Sequence, residues 1–364
     1  MIRLKYSGTI IEWLDGLDYL EEVAMKAAVL TGRNQVKMVE LPEPKVRTPE
    51  EVVVEVEALS VCTTDSEVID GTMAPRKLPI IIGHEASGRV SKVGGGVKNV
   101  MVGDRVLIDP NKSDGTCHLC LSGLSHLCQN GGLMGRELDG VFAESVVVQE
   151  GNVHKLPASV PIEIAPLIQP FSTVVHAFGK VTLAKGDVVL VLGLGVTGLM
   201  LVQLAKQSGA LVIGSSTNRE RLNLAKRLGA SIAVDKSETD IVSEVMRATL
   251  NRGVDVVFDA SGYRNLLTND FIRVLKPGGM VLLFATRLRE LEIDAFESYF
   301  RELTFKTSRS SQSKDFESAI GLVGEKRIDL SYQVTRTFPF DRTQDALAYF
   351  EDRRRVLKTV IITE

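Results

Sequence analysis

No run of apolar residues in this 364-residue chain approaches the ~20 that a membrane-spanning helix needs; the longest are strand-sized. Positive charge is not in excess either. The 43 Lys and Arg residues face 46 Asp and Glu, a formal net charge of −3, so nothing argues for a nucleic acid or an anionic membrane as partner. The start lacks the basic cluster, the uninterrupted apolar core and the small-residue cleavage site of a signal peptide. Cysteine is scarce, and four in a chain of this length do not form a secreted disulfide framework. Three of them crowd into Cys117 to Cys128, so thiolate ligands in a reducing cytoplasm are expected. No internal repeat or low-complexity segment stands out. What is there, 44% hydrophobic and 24% charged residues, reads as an ordinary soluble globular protein long enough for two domains.

The stretch Val188 to Gly198, VVLVLGLGVTG, organises the rest. An apolar strand enters a tight turn through Gly193, Gly195 and Gly198, and Val196 and Thr197 lead into a helix-like segment. The first glycine permits the turn, the second lets a pyrophosphate approach the backbone, and the third lets helix pack on strand. A second strand (Ala210 to Gly214), a helix (Arg219 to Leu228) and a third strand (Val254 to Asp259) follow at βαβ spacing. An α/β fold is expected, with a Rossmann doubly wound parallel sheet that binds a dinucleotide.

Ahead of it, residues Met1 to Ala24 carry acidic residues among Ile10, Trp13, Leu14 and Leu17 in the pattern of a short amphipathic helix. It is either a docking or oligomer-contact helix or a solvated extension. Met25 opens a first strand. Proline turns and the β-branched strand Val52 to Val56 then suit an antiparallel β domain. Next come Cys62-Thr63-Thr64-Asp65-Ser66-Glu67 and Gly83-His84-Glu85. Taken alone, Cys62 reads as a buried small residue and His84 as a satisfied polar one. Their neighbours suggest chemistry. Asp65 can orient a ligating histidine, Thr64 can pass a proton, and Glu85 adds an oxygen ligand or an outer carboxylate.

From Met25 to Glu364 the chain resembles the zinc-dependent medium-chain alcohol dehydrogenases, through GHEASGRVSKVG, VGDRV, GVFAESVVV, the glycine fingerprint, VDVVFDASG, LKPGG and LKTVI. The context of Gln169-Pro170 is most similar to the polyol, sugar and threonine dehydrogenase branch. The resemblance implies a discontinuous GroES-like catalytic domain (residues 25–171 and 301–364) around a Rossmann domain (residues 172–300).

It further implies two zinc ions. Relatives hold a structural zinc with four cysteines where this chain has Asp114, Cys117, Cys120 and Cys128. One carboxylate and three thiolates still balance Zn²⁺ to about −2, the alternative being a metal-free lobe with ordinary thiols. His118 and His126, inside the lobe, read as surface residues. For the catalytic zinc, relatives of the polyol type carry a glutamate where this chain has Gln169. Either Glu85 moves inward to give Cys62, His84, Glu85 and Gln169, which is favoured, or the ion keeps Cys62 and His84 with water.

The family position that selects NAD by a carboxylate falls on Ser216. Hydroxyls at Ser215, Ser216 and Thr217, with Arg219 and Arg221 nearby, favour NADP over NAD, unless the arginines are merely solvated. Lys358 matches a basic residue that approaches the cofactor phosphates in relatives; otherwise it is a strand-end lysine in water. Arg353 to Arg355 reads as a solvated charge run.

The activity implied is reversible oxidation of a secondary alcohol, polyol or sugar, with zinc as Lewis acid, Thr64 as first proton acceptor and Glu67 in place of a relay histidine. A zinc-free enone or quinone reductase of the same superfamily is one alternative, and a non-catalytic nucleotide-binding redox sensor another. A small-molecule substrate, a homodimer or homotetramer and a cytoplasmic location complete the expectation.

Overall fold

The computed structural model describes residues 24–261, 270–285 and 293–363. The amphipathic helix expected before residue 24 lies outside them, and Ala24 already begins a strand. Two compact units emerge: Met1–Gln169 with Val334–Asp352 and Lys358–Glu364, and Pro170–Gln333 with Arg353–Leu357.

The first unit is built on a seven-stranded sheet. Its central strand, Glu51–Ser60, reads EVVVEVEALS and buries all of its apolar residues. It pairs antiparallel with Ala86–Val93, Ser145–Gln149 and Lys358–Ile362. Such β-branched runs suit a sheet covered on both faces. Two consequences of register matter for function. Leu59 faces Ala86, and Ser60 N–H donates to the Glu85 carbonyl at 3.0 Å, so the chain leaving at Cys62 meets the chain arriving through His84. On the other side Ser60 faces Val360, and Val61 N–H donates to the Thr359 carbonyl at 3.0 Å, which brings Lys358 to the same end.

The second unit is a six-stranded, wholly parallel sheet in the order Ile232–Asp235, Leu211–Ser216, Val188–Leu192, Val254–Asp259, Leu275–Leu283, Thr304–Thr307. Order and direction are those of a doubly wound nucleotide fold. Val189, Leu190, Val191, Val257 and Phe258 are buried in its central strands, and the Phe258 ring stacks on Phe178 at 5.8 Å. The unit runs on to Gln333, past the expected boundary at residue 300. Thr304–Thr307 is its edge strand, and the helix Ser313–Gly324 is tied to it by His176 Nδ1 on Asp315 (2.7 Å) and the hydroxyls of Ser172 and Ser311 (2.9 Å).

Asp109, 8% exposed, follows the strand Arg105–Ile108. Its Oδ1 accepts from the Asn111 N–H (2.9 Å) and Nδ2 (2.7 Å), yet burial outweighs these bonds and pushes the carboxyl from its ordinary 3.8 up to about 7. The folded protein therefore keeps a proton that the unfolded chain has released between those two values. The stabilisation is complete below the unfolded pKa and is lost as pH rises through 7, up to roughly 4 kcal/mol at 1.36 kcal/mol per pKa unit. Asp109→Asn, which is neutral throughout, should unfold at a higher temperature than the parent at pH 8 and show a flatter pH dependence between 4 and 7; calorimetry at several pH values measures both.

Candidate active site and nucleotide site

At the end of the central strand Cys62 caps the helix Thr63–Ile69. Asp65, in the third helical position, reaches back so that its Oδ2 accepts the Cys62 N–H at 2.8 Å, the reciprocal arrangement of a capping box. Its other oxygen lies 2.9 Å from His84 Nδ1. One carboxylate, 2% exposed, thus fixes the backbone of the thiol residue and the orientation of the ring. With Nδ1 engaged, Nε2 is the nitrogen left for a metal. Cys62, His84 and Glu85 offer ligand atoms all within 4.8 Å of one another. Burial disfavours the imidazolium, but Asp65 and Cys62 hold the ring's pKa well above its ordinary value. That same negative field favours a cation.

Glu85 is more constrained than expected. Both of its oxygens are within 2.6 Å of Lys358 Nζ, and the Ser60 hydroxyl donates to one of them. Lys358 also donates to the Val61 carbonyl at 3.1 Å. At 2% exposure it is neither a lysine in water nor one whose ammonium stands ready for a phosphate. Burial disfavours its charge, but Glu85, Cys62 and Asp65 outweigh burial and raise its pKa, favouring the ammonium. The register of the last strand is the reason, and sequence gave no sign of it. Ser60 was likewise missed.

Gln169 is 5% exposed on the first turn of the helix Ile168–Phe178. The turn before it, Ala165–Leu167, packs against Glu51–Ser60 and Ala86–Val93, the two strands that lead to Cys62 and from Glu85. Thr64 and Glu67 are half-buried on the Thr63–Ile69 helix, three residues apart and so on one face.

The second cluster lies in the lobe. Asp114, Cys117, Cys120 and Cys128 bring their ligand atoms within 4.8 Å. Sulfur separations are 3.5 Å for Cys117 and Cys120 and 3.8 Å for Cys117 and Cys128. Tetrahedral Zn–S bonds of about 2.3 Å give S···S edges near 3.8 Å, so the donors fit that ion. Asp114 Oδ1 accepts the N–H of Cys117 and of Thr116, both at 2.9 Å, and Asn130 Nδ2 donates to Oδ2 at 2.6 Å. These bonds, Cys117's first, hold its carboxyl far below the usual range. Desolvation together with Cys117 and Asp114 raises the Cys120 thiol, the effect of negative donors held close together. All four cysteines are free thiols. His118 is exposed, His126 is half-buried, and neither joins the cluster.

In the second unit Gly193 has φ +87°, and a Cβ there would meet Ser261 Cα at 2.7 Å. At Gly198 a Cβ would lie 1.8 Å from the Gly193 carbonyl oxygen, so any side chain would push helix from strand. Gly195 differs: a Cβ there would have only Arg221 Nη1, at 4.0 Å, for a neighbour. The space is open on the side where a pyrophosphate approaches, at the head of the helix Val196–Gln207 that carries Thr197 in its first turn. Strand Leu211–Ser216 ends without a carboxylate. Ser215 Oγ is buried with no hydrogen-bond partner among the described residues, Ser216 Oγ accepts the Asn218 N–H at 3.1 Å, and Thr217 is exposed. Arg219 pairs with Glu238 at 2.9 Å on the surface. Arg221, one helical face round, is the arginine near the glycines.

Residues 48–158 match the alcohol dehydrogenase GroES-like domain, and residues 196–325 match the zinc-binding dehydrogenase domain. A sorbitol dehydrogenase of Halalkalibacterium halodurans is 34% identical over 323 residues, 86% of this chain and 92% of that one. A 2-dehydro-3-deoxy-L-galactonate 5-dehydrogenase of Pseudoalteromonas atlantica is 31% identical over 312 residues, 85% and 91% of the two chains. A Sinorhizobium meliloti 1021 structure solved bound to NADP superposes with TM-score 0.86 at 29% identity, covering 94% of this chain and all of that one. The chain belongs to the zinc-dependent medium-chain dehydrogenases, in their polyol branch. Among the described residues no helix is long and apolar enough to cross a membrane.

Removing the Asp65 carboxylate releases both the Cys62 turn and the His84 ring. Asp65→Ala should weaken zinc binding at this centre about 10–100-fold while the lobe keeps its ion, read by chelator competition with metal analysis.

Proposed function

We propose that this chain catalyses reversible hydride transfer between a secondary hydroxyl of a polyol or sugar and NADP(H). The observation that carries the reading is the Asp65 carboxylate, which orders Cys62 and His84 as a donor pair. Zinc bound there supplies a Lewis acid that lowers the pKa of a substrate hydroxyl and has no redox chemistry of its own. Cys62, His84 and Gln169 are its proposed ligands in this chain. Glu85, occupied by Lys358 and Ser60, serves as an outer carboxylate that tempers the field, in place of the inward ligand first expected. Thr64 accepts the substrate proton and hands it along its helix face towards Glu67 and solvent. A hydroxyl-rich substrate agrees with the names of the sorbitol and sugar-acid relatives. A strand that ends on Ser216, with no carboxylate to repel a 2′-phosphate, favours NADP. The working form is a homodimer or homotetramer in the cytoplasm.

Nicotinamide absorbance should report turnover of polyols or sugars with NADP⁺ that stops on chelation. Chelator-resistant reduction of enones, or tighter binding of NAD⁺, would overturn the reading. As a separate test of the ligand set, Gln169→Ala should lose at least about tenfold in zinc affinity at this centre. Full occupancy with parental affinity would remove Gln169 from the set.

A further inference from the structure

Between the helix Thr343–Phe350 and the strand Lys358–Ile362 the chain carries Arg353, Arg354 and Arg355 in succession. Residues Arg353–Leu357 cluster with the nucleotide unit, although the elements on either side belong to the first. Hydrogen bonds hold the segment there. Asn218 Nδ2 donates to the Arg354 carbonyl at 2.8 Å, and Arg221 Nη2 donates to the carbonyls of Arg353 and, at 3.4 Å, Val356. Asn218 caps the helix Arg219–Leu228, and its N–H is the one that Ser216 Oγ accepts. A short chain of bonds therefore runs from the last residue of the second strand, where this fold meets the adenosine ribose, to the arginine turn.

A merely solvated charge run has no reason to be anchored in this way. With its carbonyls held against the unit, the turn leaves Arg354 and Arg355 exposed and Arg353 half-buried. Arg221 adds a fourth positive charge beside the glycine loop. A guanidinium fork matches a phosphate bidentately. Arg219, the residue expected for that task, is paired with Glu238.

We propose that the Arg353–Arg355 turn is the clamp for the 2′-phosphate of NADP, with Arg354 as its leading contact and Asn218 as the residue that positions it. The inference rests on the NADP reading above and adds a specificity element from far along the chain. It is tested by calorimetric titration of the full-length protein with NADP⁺ and with NAD⁺, comparing the parent with Arg354→Gln, Arg354→Lys, the triple Arg353→Gln, Arg354→Gln, Arg355→Gln variant and Ser216→Asp. Losing a charge-assisted bond should weaken NADP⁺ by at least about tenfold in Arg354→Gln, with NAD⁺ changed by less than about twofold. Arg354→Lys should recover part of the loss, and the triple variant should lose more.

A parent that binds NAD⁺ more tightly overturns both the NADP reading and the clamp. A parent that prefers NADP⁺, with the preference lost in Ser216→Asp but intact in the triple variant, overturns the clamp alone. Equal weakening of both nucleotides in the arginine variants also overturns it, since it would show a structural role only.

Discussion

At the end of the central strand of the first sheet a glutamate and a lysine are both withdrawn from water, and the local arrangement around Cys62 and His84 is built on their pairing. Taking two such charges out of solvent costs several kcal/mol for each ion, on the order that only close geometry and extra hydrogen bonds can offset. Both are present, since Lys358 Nζ lies against both Glu85 oxygens and the Val61 carbonyl. The pair ties the last strand to the turn that delivers His84, beside the strand end that delivers Cys62. Asp65 then bonds to both arriving segments, to the Cys62 N–H and to His84 Nδ1.

Asp65 and Asp114 show one device put to two uses. Each accepts the backbone N–H of a cysteine, at 2.8 and 2.9 Å, and so fixes where that thiol stands. Asp65 gives its second oxygen to His84 and is thereby kept behind the donors. Asp114 gives its second oxygen to Asn130, while its first also lies 3.3 Å from the Cys120 sulfur, among the donors themselves. What a carboxylate does next to a metal is decided by what else it must satisfy.

Much of this was legible in the sequence where the pattern was local. The glycine fingerprint and the β-strand runs each lie within a few residues and were readable from local sterics, and the close spacing of Cys117, Cys120 and Cys128 pointed to thiolate ligands, while Asp114 joined them through the family resemblance. Long-range register was not readable. Lys358 and Glu85 stand 273 residues apart, and only the pairing of Ser60 with Val360 brings them together. Arg219 and Arg221 look alike in sequence, yet two residues turn a helix by more than half a circle, sending one to Glu238 and the other to the glycine loop. The edge strand Thr304–Thr307 and its following helix likewise declare their sheet only through partners.

The path of the chain also bears on how the protein folds. Residues 358–362 supply a strand beside the centre of the first sheet, after an intervening unit whose own six strands end at Thr307. The parallel sheet of the nucleotide unit can therefore close on contacts made within a continuous stretch, whereas the Glu85–Lys358 pair waits for a contact of very high sequence separation. Non-local closures of that kind are slow. Until that strand arrives, Glu85 lacks its Lys358 partner and the strand edge beside Ser60 is unpaired, an edge open to aggregation.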